Sequence, residues 1–226
     1  MSQKLHFGAN WMNQQIEDLP IKWPMFEHVY NAHVRQIHFY YPLSWYQGIN
    51  VYPEYAQMPG GAEFGYVGTA DWQTGPDAPI GIWFFVGGVP MPVACYADTQ
   101  LVKIVSDQAV NIKGLPQKVY YCETITNPAY DSSKFIANFG LLSVHTPPLQ
   151  RFSLSAYLKC HPSADNWFVY DAAHSSKVLF QFGGHSFGLI PSESSQAFNN
   201  LADATSFFTT KDYLAAKQII LSTVVE

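Results

Sequence analysis

The sequence predicts an α+β chain, mostly antiparallel β, folded as a single domain over 1–226. Three observations carry this prediction. Short runs rich in Val, Ile, Phe, Tyr and Trp recur along the chain, each bounded by Pro, Gly, Asn, Asp or Ser. Aromatic residues reach 16% while charged residues stay at 13%, about half the usual share. No low-complexity stretch, linker or internal repeat divides the 226 residues.

The elements follow from local pattern. Residues 11–19 predict a short helix stopped by Pro20. The β-branched and aromatic stretch Val29 to Tyr41 predicts strand, and 42–61, with its prolines and Pro59-Gly60-Gly61, predicts a connection with turns. Glu63 to Trp72 predicts a strand in which Gly65 and Gly68 mark bulges or close backbone approach. Ile80 to Val86, a turn at Gly87 to Pro90, and Met91 to Tyr96 read as a hairpin. Leu101 to Val105 and Val119 to Ile125 flank a Gly-Leu-Pro bend. Phe135 to Val144, Phe152 to Leu158, Trp167 to Tyr170, Val178 to Phe182 and Phe187 to Ile190 extend the series. Ser192 to Asp203 carries N-cap candidates and helical spacing, and Ala216 to Val225 predicts a last strand.

Composition excludes several function classes. The net charge is −5, only Arg35 and Arg151 are arginines, and no basic stripe exists to displace nucleic-acid counterions. No window holds the eighteen or so apolar residues of a membrane span. Met1 to His6 lacks the apolar core of a secretory signal, so the expected setting is cytoplasmic. Cys95, Cys122 and Cys160 have no CxxC spacing, which predicts reduced thiols. The eight histidines show neither HxxxH on a helix nor HxH beside a carboxylate, so no metal site is expected. A homo-oligomer is compatible with the aromatic strands.

Scarce cations in an apolar chain direct attention to two fragments. On a strand, His33, Arg35 and Ile37 share one face, aiming an imidazole and a guanidinium the same way. That suits an anchor for a carboxylate or enolate oxygen. Further on, Gly114-Leu115-Pro116 fixes a bend that presents Gln117 and Lys118 at the start of a strand. A lysine at the rim of an apolar pocket is a candidate base or nucleophile. Glu123 faces the same way as Gln117 and Tyr121 on that strand, and Asp71 is a further carboxylate candidate. Trp83 sits in an aromatic run that serves either core or ligand contact.

The order and separation of His33-Val34-Arg35 and Gly114-Leu115-Pro116-Gln117-Lys118 resemble the acetoacetate decarboxylase family. The resemblance implies a cone-like β barrel and a pocket for a small carbonyl compound. In that family the lysine after the proline forms a Schiff base, and its place here is taken by Gln117, whose amide forms no imine. The family's pocket glutamates are absent from Phe64-Gly65-Tyr66 and from Pro79-Ile80-Gly81-Ile82-Trp83. The resemblance therefore implies an acid–base enzyme without Schiff base or cofactor: a cyclase, isomerase, dehydratase or lyase. Arg35 holds an oxyanion, Tyr66 or His33 exchanges protons, Gln117 orients a carbonyl, and Lys118 lines the pocket. A second set, His161-Pro162, Asn166-Trp167-Phe168 and Phe182-Gly183-Gly184, resembles flavin- or haem-binding split barrels. A third reading is a non-catalytic carrier of lipophilic ligands.

Overall fold

A computed structural model describes residues 28–31, 37–52, 62–69, 80–87, 99–128, 131–143, 153–172, 178–186 and 197–226. In chain order the strands are β1 (His28–Asn31), β2 (Ile37–Tyr41), β3 (Tyr46–Tyr52), β4 (Ala62–Gly68), β5 (Gly81–Gly87), β6 (Gln100–Val110), β7 (Val119–Asn127) and β8 (Ile136–Ser143). Helix α1 (Leu154–Cys160) and a short 3-10 turn, Ala164–Asn166, precede β9 (Val169–Tyr170) and β10 (Val178–His185). Helices α2 (Leu201–Ser206) and α3 (Lys211–Leu221) then lead to β11 (Val224–Val225). The strands of both sheets pair antiparallel, in the orders β1-β2-β11 and β3-β4-β5-β10-β8-β7-β6, with β9 added beside β10. The mostly antiparallel α+β class is thus as the sequence predicts. Among the described residues neither sheet closes on itself; β3 and β6 form the two ends of the larger one.

Period-2 alternation on β7 shows how the large sheet separates two cores. Val119, Tyr121 and Ile125 join a cluster with Phe39, Phe139, Phe182, Ile219 and Ile220, on the face covered by β2 and α3. Tyr120 and Cys122 join the other cluster, with Trp83, Tyr157, Leu158 and Trp167, beneath α1 and the 3-10 turn. The central strands are buried on both faces, so they read as unbroken apolar runs rather than as alternation.

Several elements depart from expectation. The stretch taken as a connection holds β3, whose polar Gln47 and Asn50 hide a strand that pairs in full register with β4. In the predicted strand Phe152 to Leu158, the described residues from 153 onward form a capped helix: Ser153 caps α1, its Oγ accepting from the Ala156 N–H at 3.2 Å. Ala216 to Leu221 belongs to α3, opened by Thr210, whose Oγ1 accepts from the Tyr213 N–H at 3.3 Å. Of the predicted helix at Ser192 to Asp203, 192–196 lie outside the described residues, 197–200 are not helical, and α2 starts at Leu201 with Asn200 as its cap. Gly65 is a close approach and not a bulge. Its register with β5 is unbroken, and a Cβ there would lie 1.9 Å from the Phe84 ring. The predicted helix at 11–19, the strands Met91 to Tyr96 and Phe187 to Ile190, and the turn after Gly87 lie outside the described residues.

The Gly114 bend is present. Leu115 N–H closes a turn onto the Ile112 carbonyl at 3.0 Å, and Gly114 holds φ +86°. Cysteine chemistry differs from expectation: Cys160 is disulfide-bonded, whereas Cys122 is free and buried. Sequence spacing carries no information on which thiols meet in space.

Candidate functional site

Two local periodicities converge on one point of the interior. Tyr121 and Glu123, two apart on β7, face α3. Tyr213 and Lys217, four apart on α3, share the helix face turned back towards them. Lys217 Nζ lies 2.6 Å from Glu123 Oε1, and the Tyr213 hydroxyl donates to the same oxygen. The two phenol oxygens are hydrogen-bonded at 3.3 Å, and the ammonium stands 4.8 Å from the centre of the Tyr121 ring. Phe139, Phe207 and Phe208 pack around Tyr213 with ring centres 5.0–5.3 Å away.

The electrostatics follow from this enclosure. Burial pushes both phenols well above their ordinary range, and the Glu123 charge adds to the effect. Tyr121 and Tyr213 therefore stay protonated as donors. The two side chains bearing charge keep slight access, 8% for Lys217 and 7% for Glu123, while Tyr121 and Tyr213 have 1% each. All four residues are buried. Both donors use Oε1, and neither occupies Oε2. This arrangement can accept a proton at one carboxylate oxygen while the other is held by two donors.

A second polar group lies on the opposite face. His185 is buried at the end of β10, its ring 4.5 Å from that of Trp83, with Nε2 3.3 Å from Asp165 Oδ2. Ser163 Oγ donates to that same Asp165 oxygen at 3.0 Å. Serine and histidine thus meet one carboxylate oxygen separately, which is not the Ser-His-Asp order of a nucleophilic relay. Trp167 Nε1, Thr124 Oγ1 and Gln181 Nε2 tie down the carbonyls of His161, Pro162 and Ala164, fixing the turn that carries Asp165.

Partial desolvation of the Asp165 carboxyl pushes its pKa up. The neighbouring His185 charge, with hydrogen bonds from His185 and Ser163, outweighs this and holds it below the ordinary carboxylate value. A folded-state value below the unfolded one gives stability that is complete above the unfolded range, about pH 4, and disappears as pH falls through the lowered value. Because 57% of the Asp165 side chain is exposed, the contribution is at most about 1 kcal/mol. Asp165→Asn is expected to lower Tm by about 2–4 °C at pH 5 and to match the parent at pH 2, as read by calorimetry. Equal losses at both pH values refute this account.

The sequence-predicted residues are dispersed. Glu123 lies in the buried cluster. Gln117 is buried and its Nε2 donates to the Tyr170 carbonyl at 2.5 Å, whereas Lys118 is exposed with Nζ 5.1 Å from the Tyr120 ring centre. Tyr66 is buried in β4 directly opposite Trp83 of β5, and Trp83 packs on His185. His33, Arg35 and Asp71 lie outside the described residues. Sequence reasoning missed Lys217 and Tyr213. Their four-residue spacing is the available signal, and a strand over 216–225 hides it. Among the described residues no three His, Cys, Asp or Glu side chains gather as metal ligands, and no helix is long and apolar enough to cross a membrane.

No protein-family model, curated protein or solved structure matches the chain.

Proposed function

We propose that this protein acts on a small, largely apolar carbonyl compound by acid–base chemistry, with Glu123, Tyr213 and Lys217 as the working groups. One observation carries the reading: a carboxylate, an ammonium and two phenols meet inside an otherwise aromatic and aliphatic core. Burying an ion pair costs several kcal/mol per ion in desolvation, and an apolar replacement of similar volume often serves stability as well. We read its retention at the centre of the fold as serving chemistry.

The step is a proton transfer. Glu123 Oε2 takes a proton from carbon beside the carbonyl, leaving an enolate whose oxygen is met by a proton of Lys217, which has three to give. Swap of the carboxyl proton with one from solvent and its return to the same carbon completes an exchange, and return at another carbon an isomerisation, with no oxidant or co-reactant. Tyr213 and Tyr121 hold the carboxylate in place. The resemblance to acetoacetate decarboxylases belongs to the same reading, with the larger sheet as one wall of a cone-like barrel. The disulfide at Cys160 favours an oxidising compartment over the cytoplasmic one the sequence suggests.

The test is deuterium uptake beside the carbonyl of cyclohexanone and phenylacetone in heavy water, followed by proton NMR. The protein should accelerate uptake over buffer, and Glu123→Gln and Tyr213→Phe should each reduce the acceleration about 10²-fold. No acceleration with either ketone, or full activity in Glu123→Gln, overturns the reading.

A further inference from the structure

We propose that Tyr121 is a positioning residue of the acid–base site: its hydroxyl donates to Tyr213 and its ring face carries Lys217, so that one side chain of β7 aligns both donors on Glu123 Oε1. This assignment rests on the acid–base reading above and gives the two parts of one tyrosine separate tasks.

The direction of the hydrogen bonds follows from the number of protons. Lys217 at 2.6 Å keeps the Glu123 carboxyl ionised, and a carboxylate only accepts. Tyr213 has a single hydroxyl proton, which it donates to Glu123 Oε1. The 3.3 Å bond between the two phenol oxygens must therefore take its proton from Tyr121. Burial holds both phenols protonated, so this first donor is present throughout the neutral range. The order is Tyr121 to Tyr213 to Glu123, and each bond polarises the next. Core packing alone does not call for the hydroxyl. Phe39 and Phe139 fill the same cluster without one, and burying a phenol oxygen costs free energy unless it is bonded.

The ring has the second task. The Lys217 ammonium stands 4.8 Å from its centre, within reach of the negative face of the aromatic system. A lysine ends in a compact charge on a flexible stem, so one carboxylate oxygen does not fix its direction. The ring supplies the missing contact. Tyr121 and Glu123 lie two apart on β7, a strand held between β6 and β8, and so share one face of a fixed support. Tyr213 and Lys217 both come from α3. Tyr121 thus registers the two α3 donors against the strand that carries the base. With both donors drawn to Oε1, transfer of the carbon proton falls to Oε2.

The test compares Tyr121→Phe, Tyr121→Leu and Tyr121→fluorotyrosine in the full chain, with the fluorine beside the hydroxyl. Fluorine makes the phenol a stronger donor and a weaker acceptor, so it reads the direction of the bond. The Tyr213 hydroxyl proton, identified by its loss in Tyr213→Phe, is followed by NMR and needs no turnover. Its resonance should move downfield with fluorotyrosine and upfield with phenylalanine. In deuterium exchange of cyclohexanone, Tyr121→Phe should lower kcat about fivefold at unchanged KM. Tyr121→Leu, which also removes the ring face, should lower it about fivefold more. An upfield shift with fluorotyrosine, or an unmoved resonance with phenylalanine, overturns the assigned direction. An active parent whose kcat is unchanged in Tyr121→Phe overturns the positioning role alone, whether or not Tyr121→Leu folds. A parent that exchanges neither ketone removes the acid–base reading, and the positioning role with it.

Discussion

Lys217→Met is expected to lower the unfolding free energy by about 3–5 kcal/mol, because it leaves the Glu123 carboxylate buried without its cation. The methionine fills the space of the lysine stem, so the loss isolates charge from volume. Glu123→Gln is expected to destabilise through the opposite orphan, an ammonium 8% exposed and 4.8 Å from an aromatic ring centre. The double variant Glu123→Gln with Lys217→Met leaves no uncompensated charge. It should recover most of either loss, so the cycle is non-additive by more than about 2 kcal/mol. Urea midpoints of the four proteins measure this directly. Additive losses, or a Lys217→Met variant within about 1 kcal/mol of the parent, show that the pair is solvated and that the enclosure argument is wrong. Recovery in the double variant also bears on function, since stability would then give no reason to keep the pair.

What was legible in the sequence depended on which interaction fixes each element. β7 was readable because Val119 to Ile125 is β-prone along its whole length, and alternation placed Tyr121 and Glu123 on one face. The Gly114 bend was readable because it is set by local backbone chemistry. β3 was not, since Gly48, Gln47 and Asn50 have little strand preference and are held by the ladder to β4. α3 was misread for a related reason. Ile219, Ile220 and Leu221 look like a strand when taken alone, and the helix depends on the Thr210 cap, more than two turns before that run. That error removed Lys217 from consideration, because a strand ending in Val225 gives it no reason to meet Glu123. The two halves of the site lie 94 residues apart, and only packing of α3 on the sheet joins them.

Gly114→Ala is expected to cost about 2–4 kcal/mol and to release the C-terminal strand, for two separable reasons. Gly114 sits at φ +86°, where an L side chain is strained by roughly 1–2 kcal/mol. A Cβ there would also lie 1.6 Å from the Val225 carbonyl oxygen, so the backbone of β11 must move. That movement breaks the Val225 N–H bond to the Lys113 carbonyl, now 2.8 Å, and disturbs the pairing of Val224 with His38 and Val225 with Ile37. The His38–Glu226 contact at 3.3 Å goes with it. Gly114→Asn separates the causes, because asparagine tolerates positive φ but still carries the Cβ. If the clash dominates, both variants lose the same stability, and the Val225 amide exchanges with solvent at the rate of a free chain end. If strain dominates, Asn recovers most of the loss and Val225 stays protected. A Gly114→Ala protein with parental Tm and a protected Val225 amide would mean that the bend does not hold the C-terminal strand.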